Sequence, residues 1–164
     1  MEERTELKLL NRAKKQKILD LLNEEYGIEN LNYLFLQTTR KLRIFSGALS
    51  KEEMIEWLKN INIDNIGLYF ASWEDSGIRL NLDAVHLISK QASKNIIHLA
   101  EEQADSWFLG SEIELNIENK KEIEMNNVKE GFIIVKNKED IIGTGKLTKT
   151  RILNYLPKER RIKN

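Results

Sequence analysis

Hydrophobic positions near the start of the chain recur at three- and four-residue steps, the spacing of one face of an α-helix. Leu10, Ile18 and Leu22 belong to this series. Gly27 follows at the place where a residue in the left-handed conformation commonly ends a helix. The pattern predicts a helix over residues 3–26.

Two later segments have the shorter apolar runs that are typical of β-strands. Residues 33–45 contain two runs rich in Leu, Ile, Phe and Tyr on either side of the polar sequence TTRK, which predicts a β-hairpin. Residues 65–82 contain two more runs, separated by the turn sequence Asp75-Ser76-Gly77. Because the connections are short, the strands are predicted to be mostly antiparallel.

Two further helices are predicted from their starting residues. Ser50 and Glu53 have the spacing of a capping box, in which each side chain bonds to the backbone of the other residue. Asp83 precedes the apolar sequence AVHLISKQ and is predicted to cap a helix there. With the strands, these helices predict an N-terminal α/β unit with an antiparallel sheet.

The pattern changes after the short polar stretch QASKN, which we interpret as a domain junction. The sequence then predicts a strand in IIHL, a short helix in AEEQADSWFLG, a strand in SEIELNI and a polar loop in ENKKEIEMNN. A hairpin is predicted in GFIIVKN and DIIGTG, and a final strand in RILNYL. Short strands with one early helix are typical of a small β-barrel. The predicted fold class is therefore α+β, with domains over 1–92 and 93–164.

The composition favours a globular chain in a reducing compartment. Of the 164 residues, 41% are hydrophobic, enough for a core, and none is cysteine, which excludes disulfides and thiol chemistry. The first residues are highly charged and contain no apolar stretch of a signal peptide. No run approaches the roughly 20 apolar residues that span a bilayer. We expect a cytoplasmic protein without a membrane partner.

Charge is unevenly distributed along the chain. The totals balance, with 26 basic and 26 acidic side chains, but the last 22 residues contain seven basic side chains and one acidic side chain. Residues 100–140 contain eleven acids and five lysines. The terminal cations are interspersed with apolar residues such as Ile152 and Leu156, which are not expected in an unpacked, solvated terminus. The end of the chain is predicted to be packed and to present a positive face to a polyanion.

Candidate catalytic and metal-binding patterns are absent from the sequence. The chain has two histidines and no cysteine, too few ligands for a usual zinc site. The sequence GTGKLTKT contains glycines and lysines but does not match the phosphate-loop pattern, so glycine at a tight strand connection is the preferred interpretation. We expect no catalytic residue, no metal and no cofactor.

Three sequences together resemble a PUA domain, the RNA-binding module of pseudouridine synthases and archaeosine transglycosylases: KNIIHLAEEQADSWFLGSEI, GFIIVKNKEDIIGTGK and ILNYLPKERR. In that family a strand leads to a short helix and a glycine turn, here WFLGSEI. A hairpin that ends in a glycine-containing strand follows, here DIIGTG. The preceding sequence GIRLNLDAVHLISKQ is similar to the pre-PUA domain of a two-domain ribosome-biogenesis family. The C-terminal regions of some Nol–Nop–Sun RNA cytosine-5 methyltransferases look related too.

The resemblance implies RNA binding through the C-terminal module, without catalysis by this chain. In PUA domains the RNA surface is usually built from the first helix, the glycine turn after it and the last strand. The helix EEQADSW is acidic in this sequence, which disfavours RNA contact along its carboxylates. Carried over to this chain, the predicted RNA-binding residues are Gly110, Ser111, Lys146, Lys149, Arg151, Lys158, Arg160, Arg161 and Lys163.

The leading hypothesis is a non-catalytic RNA-binding protein that acts on rRNA in ribosome biogenesis or assists RNA modification. Its expected partners are rRNA or tRNA, together with ribosome-assembly or RNA-modification proteins. Two alternatives stay open. One is a protein-interaction adaptor whose acidic middle and basic end pair with complementary partners or with another copy of the chain. The other is an enzyme, for which a bound cofactor would be the sign.

Overall fold

The computed structural model describes residues 6–63 and 65–163. Within these ranges the chain forms two five-stranded sheets, five α-helices and one short 3-10 helix. None of these helices combines the length and the apolar character needed to cross a bilayer. The elements in chain order are β1 (Lys8–Leu9), α1 (Arg12–Tyr26), β2 (Leu34–Gln37), β3 (Lys41–Phe45), α2 (Lys51–Asn60), β4 (Leu68–Glu74), β5 (Gly77–Leu80), α3 (Leu82–Ile88), β6 (Ile96–His98), α4 (Glu101–Phe108), β7 (Ile113–Glu114), α5 (Ile117–Met125), β8 (Gly131–Asn137), β9 (Asp140–Leu147), β10 (Arg151–Asn154) and the 3-10 helix Lys158–Arg160.

The first sheet has the strand order β1-β2-β3-β4-β5, and every neighbouring pair in it is antiparallel. The two predicted hairpins are confirmed as β2–β3 and β4–β5. The predicted capping box is also confirmed, because Glu53 N–H donates to Ser50 Oγ at 3.2 Å and Ser50 N–H donates to Glu53 Oε2 at 2.7 Å. These features follow from local sequence, since each is closed by residues a few positions apart.

The second sheet has the order β6-β8-β9-β10-β7 and curls into a half-barrel. Its strands are antiparallel except for β6 and β8, which are parallel. The helix α4 lies between β6 and β7, so the strands are interrupted by a helix early in this half, as predicted. The predicted α+β class is confirmed.

The N-terminal helix is shorter than predicted. It begins at Arg12, because the side chain of Asn11 accepts a hydrogen bond from the Lys14 N–H at 2.9 Å and caps the first turn. Part of the predicted helix is instead the strand β1, and residues 1–5 lie outside the described residues. The predicted end is confirmed, since Gly27 has a φ of 74° and donates its N–H to the Asn23 carbonyl.

Two other local predictions are wrong. The cap of α3 is Asn81, whose side chain accepts from the Asp83 N–H at 3.0 Å, so Asp83 lies inside the first turn. The sequence ENKKEIEMNN forms α5 and not a loop. This helix exposes 71% of Ile117 and 84% of Met125, and its buried residue is Asn119, so it has no apolar stripe that periodicity could reveal.

The glycines of DIIGTG serve close packing within a strand, which corrects the expectation of a tight connection. Trp107 is fully buried and donates its Nε1–H to the Ile142 carbonyl at 3.1 Å. A Cβ at Gly143 would lie 2.8 Å from the Trp107 Nε1 atom, and one at Gly145 would lie 2.7 Å from the Leu153 carbonyl oxygen. The indole therefore reaches the surface of β9 only where side chains are absent.

The two sheets share one hydrophobic core. Phe132 and Ile134 of β8 belong to the same buried cluster as Phe70 and Ile88 of the N-terminal half. The opposite face of the second sheet packs in a separate cluster around Trp107. The apolar contact continues across the predicted boundary after residue 92, and the division into two domains stays a prediction.

Candidate RNA interface

The turn after α4 is a Schellman motif built on Gly110. This residue has a φ of 91°, a left-handed value that favours glycine. Its N–H donates to the Trp107 carbonyl at 2.9 Å, and the Ser111 N–H donates to the Ser106 carbonyl at 3.0 Å. The helix is thereby closed, and the exposed Ser111 follows it at the surface.

The C-terminal segment packs against this turn. The Ile162 N–H donates to the Phe108 carbonyl at 2.9 Å. The Asn154 amide, at the end of β10, donates to the carbonyls of Trp107 and Ser111 at 2.8 and 3.0 Å. The prediction of a packed end is confirmed, since the apolar residues among the terminal cations include the buried Leu147, Ile152 and Leu156.

Arg161 lies directly against the glycine turn. A Cβ on Gly110 would lie 2.7 Å from the Arg161 Nη1 atom and 2.8 Å from its Cδ atom. The Arg161 Nε–H donates to the Leu156 carbonyl at 3.0 Å, which orients the guanidinium. Its Nη groups donate to no residue within 6–63 and 65–163. A fixed guanidinium with free terminal donors is suited to a phosphate oxygen.

Two of the predicted cations are paired with carboxylates. Arg151 Nη1 lies 2.9 Å from Glu112 Oε2, and Arg160 Nη2 lies 3.4 Å from Asp83 Oδ1. All four side chains are about half exposed, so each pair contributes at most about 1 kcal/mol to stability. The pairs nevertheless neutralise their cations locally, because an anion that binds there meets the carboxylate as well.

Lys146 is directed away from the turn. Gly143 and Gly145 face Trp107, and successive side chains of a strand point to opposite faces. Lys146 accordingly lies over Phe132 on the other face, 5.5 Å from the ring centroid, and its Nζ donates to Ser76 Oγ at 2.9 Å. This side chain connects the second sheet to the β4–β5 turn.

The remaining predicted cations are exposed side chains on the surface. Lys149 lies in the β9–β10 turn, and Lys158 and Lys163 lie in the terminal segment. None of the three side chains has a hydrogen bond or ion pair within the described part of the chain. The structure therefore brings Gly110, Ser111 and Arg161 together, while it places Lys146 on a different face of the sheet.

A pair of cations on the first sheet was not predicted from the sequence. Lys41 and Arg43 lie two positions apart on β3, and Arg43 is paired across the sheet with Tyr69 of β4. The Lys41 Nζ lies 5.5 Å from the centroid of the Tyr69 ring. The alternation of the two cations is visible in the sequence, but the neighbouring aromatic ring depends on the strand register.

Arg43 is held in place by backbone carbonyls. Its Nε–H donates to Ile66 O at 2.8 Å and its Nη2 donates to Gly67 O at 2.6 Å. Partial burial lowers the pKa of Arg43 from its ordinary value, and the nearby Tyr69 acts in the opposite direction. The guanidinium stays charged at neutral pH because the ordinary pKa of arginine is above 12.

No group of three or more histidine, cysteine, aspartate or glutamate side chains among the described residues is arranged to hold a metal ion. The candidate interface consists of the Arg161 guanidinium, exposed lysine ammonium groups and the backbone of the glycine turn.

Comparison with known protein families identifies the second half of the chain. Residues 94–162 match the family described as the methyltransferase RsmF PUA domain. A search of the curated proteins finds no match to the chain. The second sheet and its helices therefore form a PUA domain related to the C-terminal regions of Nol–Nop–Sun methyltransferases, which confirms this part of the resemblance seen in the sequence. PUA domains generally bind RNA, and the match supports an RNA-binding role.

Proposed function

We propose that this chain is a non-catalytic RNA-binding protein that acts on rRNA in ribosome biogenesis or assists an RNA-modifying enzyme. The observation that carries the proposal is the contact between Arg161 and the Gly110 turn inside a PUA domain. A cytoplasmic location belongs to the same proposal, since a chain without cysteine fits a reducing compartment.

The proposed contact is made with the RNA backbone. The absence of a side chain at Gly110 lets Arg161 lie against the peptide, and the guanidinium supplies charged donors to a phosphate at this turn. Lys158 and Lys163 flank Arg161 in the terminal segment and add positive field. Contacts of this kind position an RNA without reading its sequence.

The absence of catalysis is proposed from the sequence. The chain contains no cysteine, and therefore no cysteine nucleophile of the kind an RNA cytosine-5 methyltransferase needs. The PUA domain is a binding module. The proposal assigns recognition to this chain and any chemical step to a partner.

A binding titration with rRNA and tRNA fragments tests the proposal. We expect affinity to fall as salt is raised, because phosphate contacts release counterions. Arg161→Glu should weaken binding at least about tenfold, since it replaces a charged hydrogen-bond donor with a repelling carboxylate. Arg12→Glu, an exposed residue at the start of α1, is the matched control and should bind as the wild type does.

Two outcomes contradict the proposal. One is the absence of salt-dependent binding to any fragment, and the other is equal affinity of the Arg161→Glu and Arg12→Glu proteins. Thermal unfolding of both variants shows that any difference is not caused by loss of the fold.

A protein-interaction adaptor is the second candidate. The exposed apolar side chains of α5, Ile117 and Met125, favour it, because large apolar residues at a surface are typical of contact sites. Recovery of a protein partner that survives nuclease treatment and is lost in Met125→Lys would support this function.

A further inference from the structure

A cleft of about 230 Å³ lies where the first sheet meets the PUA domain. Its polar and aromatic lining comes from both halves: Tyr69, Arg79, Asn81, Thr144 and Tyr155, with Pro157 at the end. We call it the inter-sheet cleft. Pockets for drug-sized ligands have volumes of roughly 300–1,000 Å³, so this one has room for a single heterocycle.

The guanidinium of Arg79 is fixed as a flat surface in this cleft. Its Cζ atom lies 5.2 Å from the centroid of the Tyr155 ring. Its Nη2 lies 3.2 Å from Glu74 Oε1, and its Nε–H donates to Ser72 Oγ at 3.3 Å. The side chain is still 34% exposed. Arginine planes held in this way are surfaces on which unpaired bases stack.

The cleft also contains hydrogen-bonding groups that the protein does not use. Thr144 is 6% exposed, and its hydroxyl has no hydrogen-bond partner in the described ranges 6–63 and 65–163. Asn81 accepts from the Asp83 N–H, but its amide N–H₂ group has no partner among the described residues. A hydroxyl and an amide N–H₂ group that line the cleft without protein partners are available to bond to a ligand.

The position of Thr144 explains why its side chain lines the cleft. It lies on β9 between Gly143 and Gly145, which face Trp107. Because side chains alternate along a strand, Thr144 points to the opposite face, toward the first sheet. The side chain is therefore outside the core of the PUA domain and inside the space between the two halves.

The chemistry of the cleft favours a base over a phosphate. A phosphate needs unpaired cations, whereas Arg79 is already paired with Glu74. The other nearby carboxylate, Asp83, is paired with Arg160. What is available is a planar surface together with neutral donors and acceptors, which are the groups that bind the face and the edge of a nucleobase.

We infer that the inter-sheet cleft binds one unpaired nucleobase of the RNA. The base would stack on the Arg79 guanidinium and bond to the Thr144 hydroxyl and the Asn81 amide. The inference rests on the proposed RNA binding and assigns to the chain a preference for single-stranded RNA beside the PUA contact. It gives the junction between the halves a role in recognition.

The test compares two RNA probes by fluorescence anisotropy: a blunt hairpin, and the same hairpin with a single-stranded extension of about four nucleotides. The wild type should bind the extended probe more tightly. Thr144→Val removes the hydroxyl and keeps the shape of the side chain. It should lower the affinity for the extended probe about three- to tenfold, the effect of one hydrogen bond. Arg79→Lys keeps the charge but removes the planar guanidinium, and it should lower the affinity for the extended probe about fivefold or more.

Control variants distinguish recognition from stability. Thr39→Val and Arg12→Lys make the same chemical changes at exposed positions and should leave both affinities unchanged. The thermal midpoint of Thr144→Val should equal or exceed that of the wild type, because the hydroxyl has no protein partner to lose.

The outcomes separate the two proposals. If both cleft variants bind the extended probe as the wild type does, or weaken both probes equally, the inference is wrong while the proposed function stands. If the wild type binds neither probe in a salt-dependent way, the proposed function fails as well. A selective loss on the extended probe, with the blunt probe unchanged, supports the inference.

Discussion

Replacing Gly110 with alanine tests the proposed link between the glycine turn and Arg161. The alanine would have a φ of 91°, which costs a residue with a side chain about 1–2 kcal/mol. Its Cβ would also lie within 2.9 Å of three Arg161 atoms, so that side chain has to move. Movement breaks the hydrogen bond from Arg161 Nε to the Leu156 carbonyl, worth about 1 kcal/mol.

The two effects are separated by a double-mutant cycle. Gly110→Ala should lower the free energy of unfolding by about 2–3 kcal/mol in the wild-type background. In an Arg161→Ala background only the backbone strain remains, so the same change should cost about 1–2 kcal/mol. Urea denaturation of the four proteins measures the difference, an expected coupling of about 1 kcal/mol.

RNA binding gives a second measurement on the same proteins. Gly110→Ala should weaken binding about as much as Arg161→Ala, because both remove the guanidinium from the turn. Gly77→Ala is the control, since that glycine also has a positive φ but a Cβ there would meet nothing within 4 Å. Additive stabilities within about 0.5 kcal/mol, or RNA affinity unaffected by Gly110→Ala, would refute the reasoning.

Two predictions concern the core. Gly143→Ala should lower the free energy of unfolding by about 2–4 kcal/mol in urea, because the new Cβ crowds Trp107 and weakens its bond to the Ile142 carbonyl; a loss below about 1 kcal/mol would contradict the packing. Burial, with a contribution from Glu25, raises the pKa of the Tyr26 phenol, which donates to Ile78 O at 2.8 Å. Since the folded pKa lies above the unfolded value of about 10, the stabilisation is fully present below pH 10 and is lost as the pH rises through the folded pKa. Tyr26→Phe should therefore be about 1 kcal/mol less stable at pH 7 and should lose less stability between pH 10 and 11 than the wild type, measured by urea unfolding.

The parts of the fold that the sequence predicts are those closed by local interactions. Gly27 at a helix end, the capping box at Ser50 and the two hairpins depend on residues a few positions apart, and all are confirmed. The cap of α3 is Asn81 where Asp83 was predicted. Both residue types accept hydrogen bonds, and the sequence pattern does not locate a helix end to within two positions. α5 was missed because it has no apolar face.

The candidate site was predictable in its position but not in its charges. The turn at Gly110 follows from a glycine at the end of a predicted helix, and the packed end follows from the apolar residues between the cations. The ion pairs do not follow from sequence, because Arg151 and Glu112 are 39 positions apart and Arg160 and Asp83 are 77 apart. The inter-sheet cleft is missed for the same reason, since its two sides come from different halves of the chain.

The ion pairs change the expected salt dependence of RNA binding. If all seven terminal cations contacted phosphates, the slope of affinity against salt on a single strand would be about 5, at about 0.7 per contact. Arg151 is paired with Glu112, and Arg160 is paired with Asp83. A phosphate that bound either arginine would lie beside the unpaired carboxylate of its former partner. Lys146 lies on another face of the sheet and bonds to Ser76. Four cations remain, which limits the contribution of this segment to a slope of about 2.8. The formal charge of the segment therefore overstates its electrostatic contribution to RNA affinity. A variant in which Lys149, Lys158, Arg161 and Lys163 are neutralised, and in which the slope fell by much less than this, would show that the phosphates are held elsewhere on the chain.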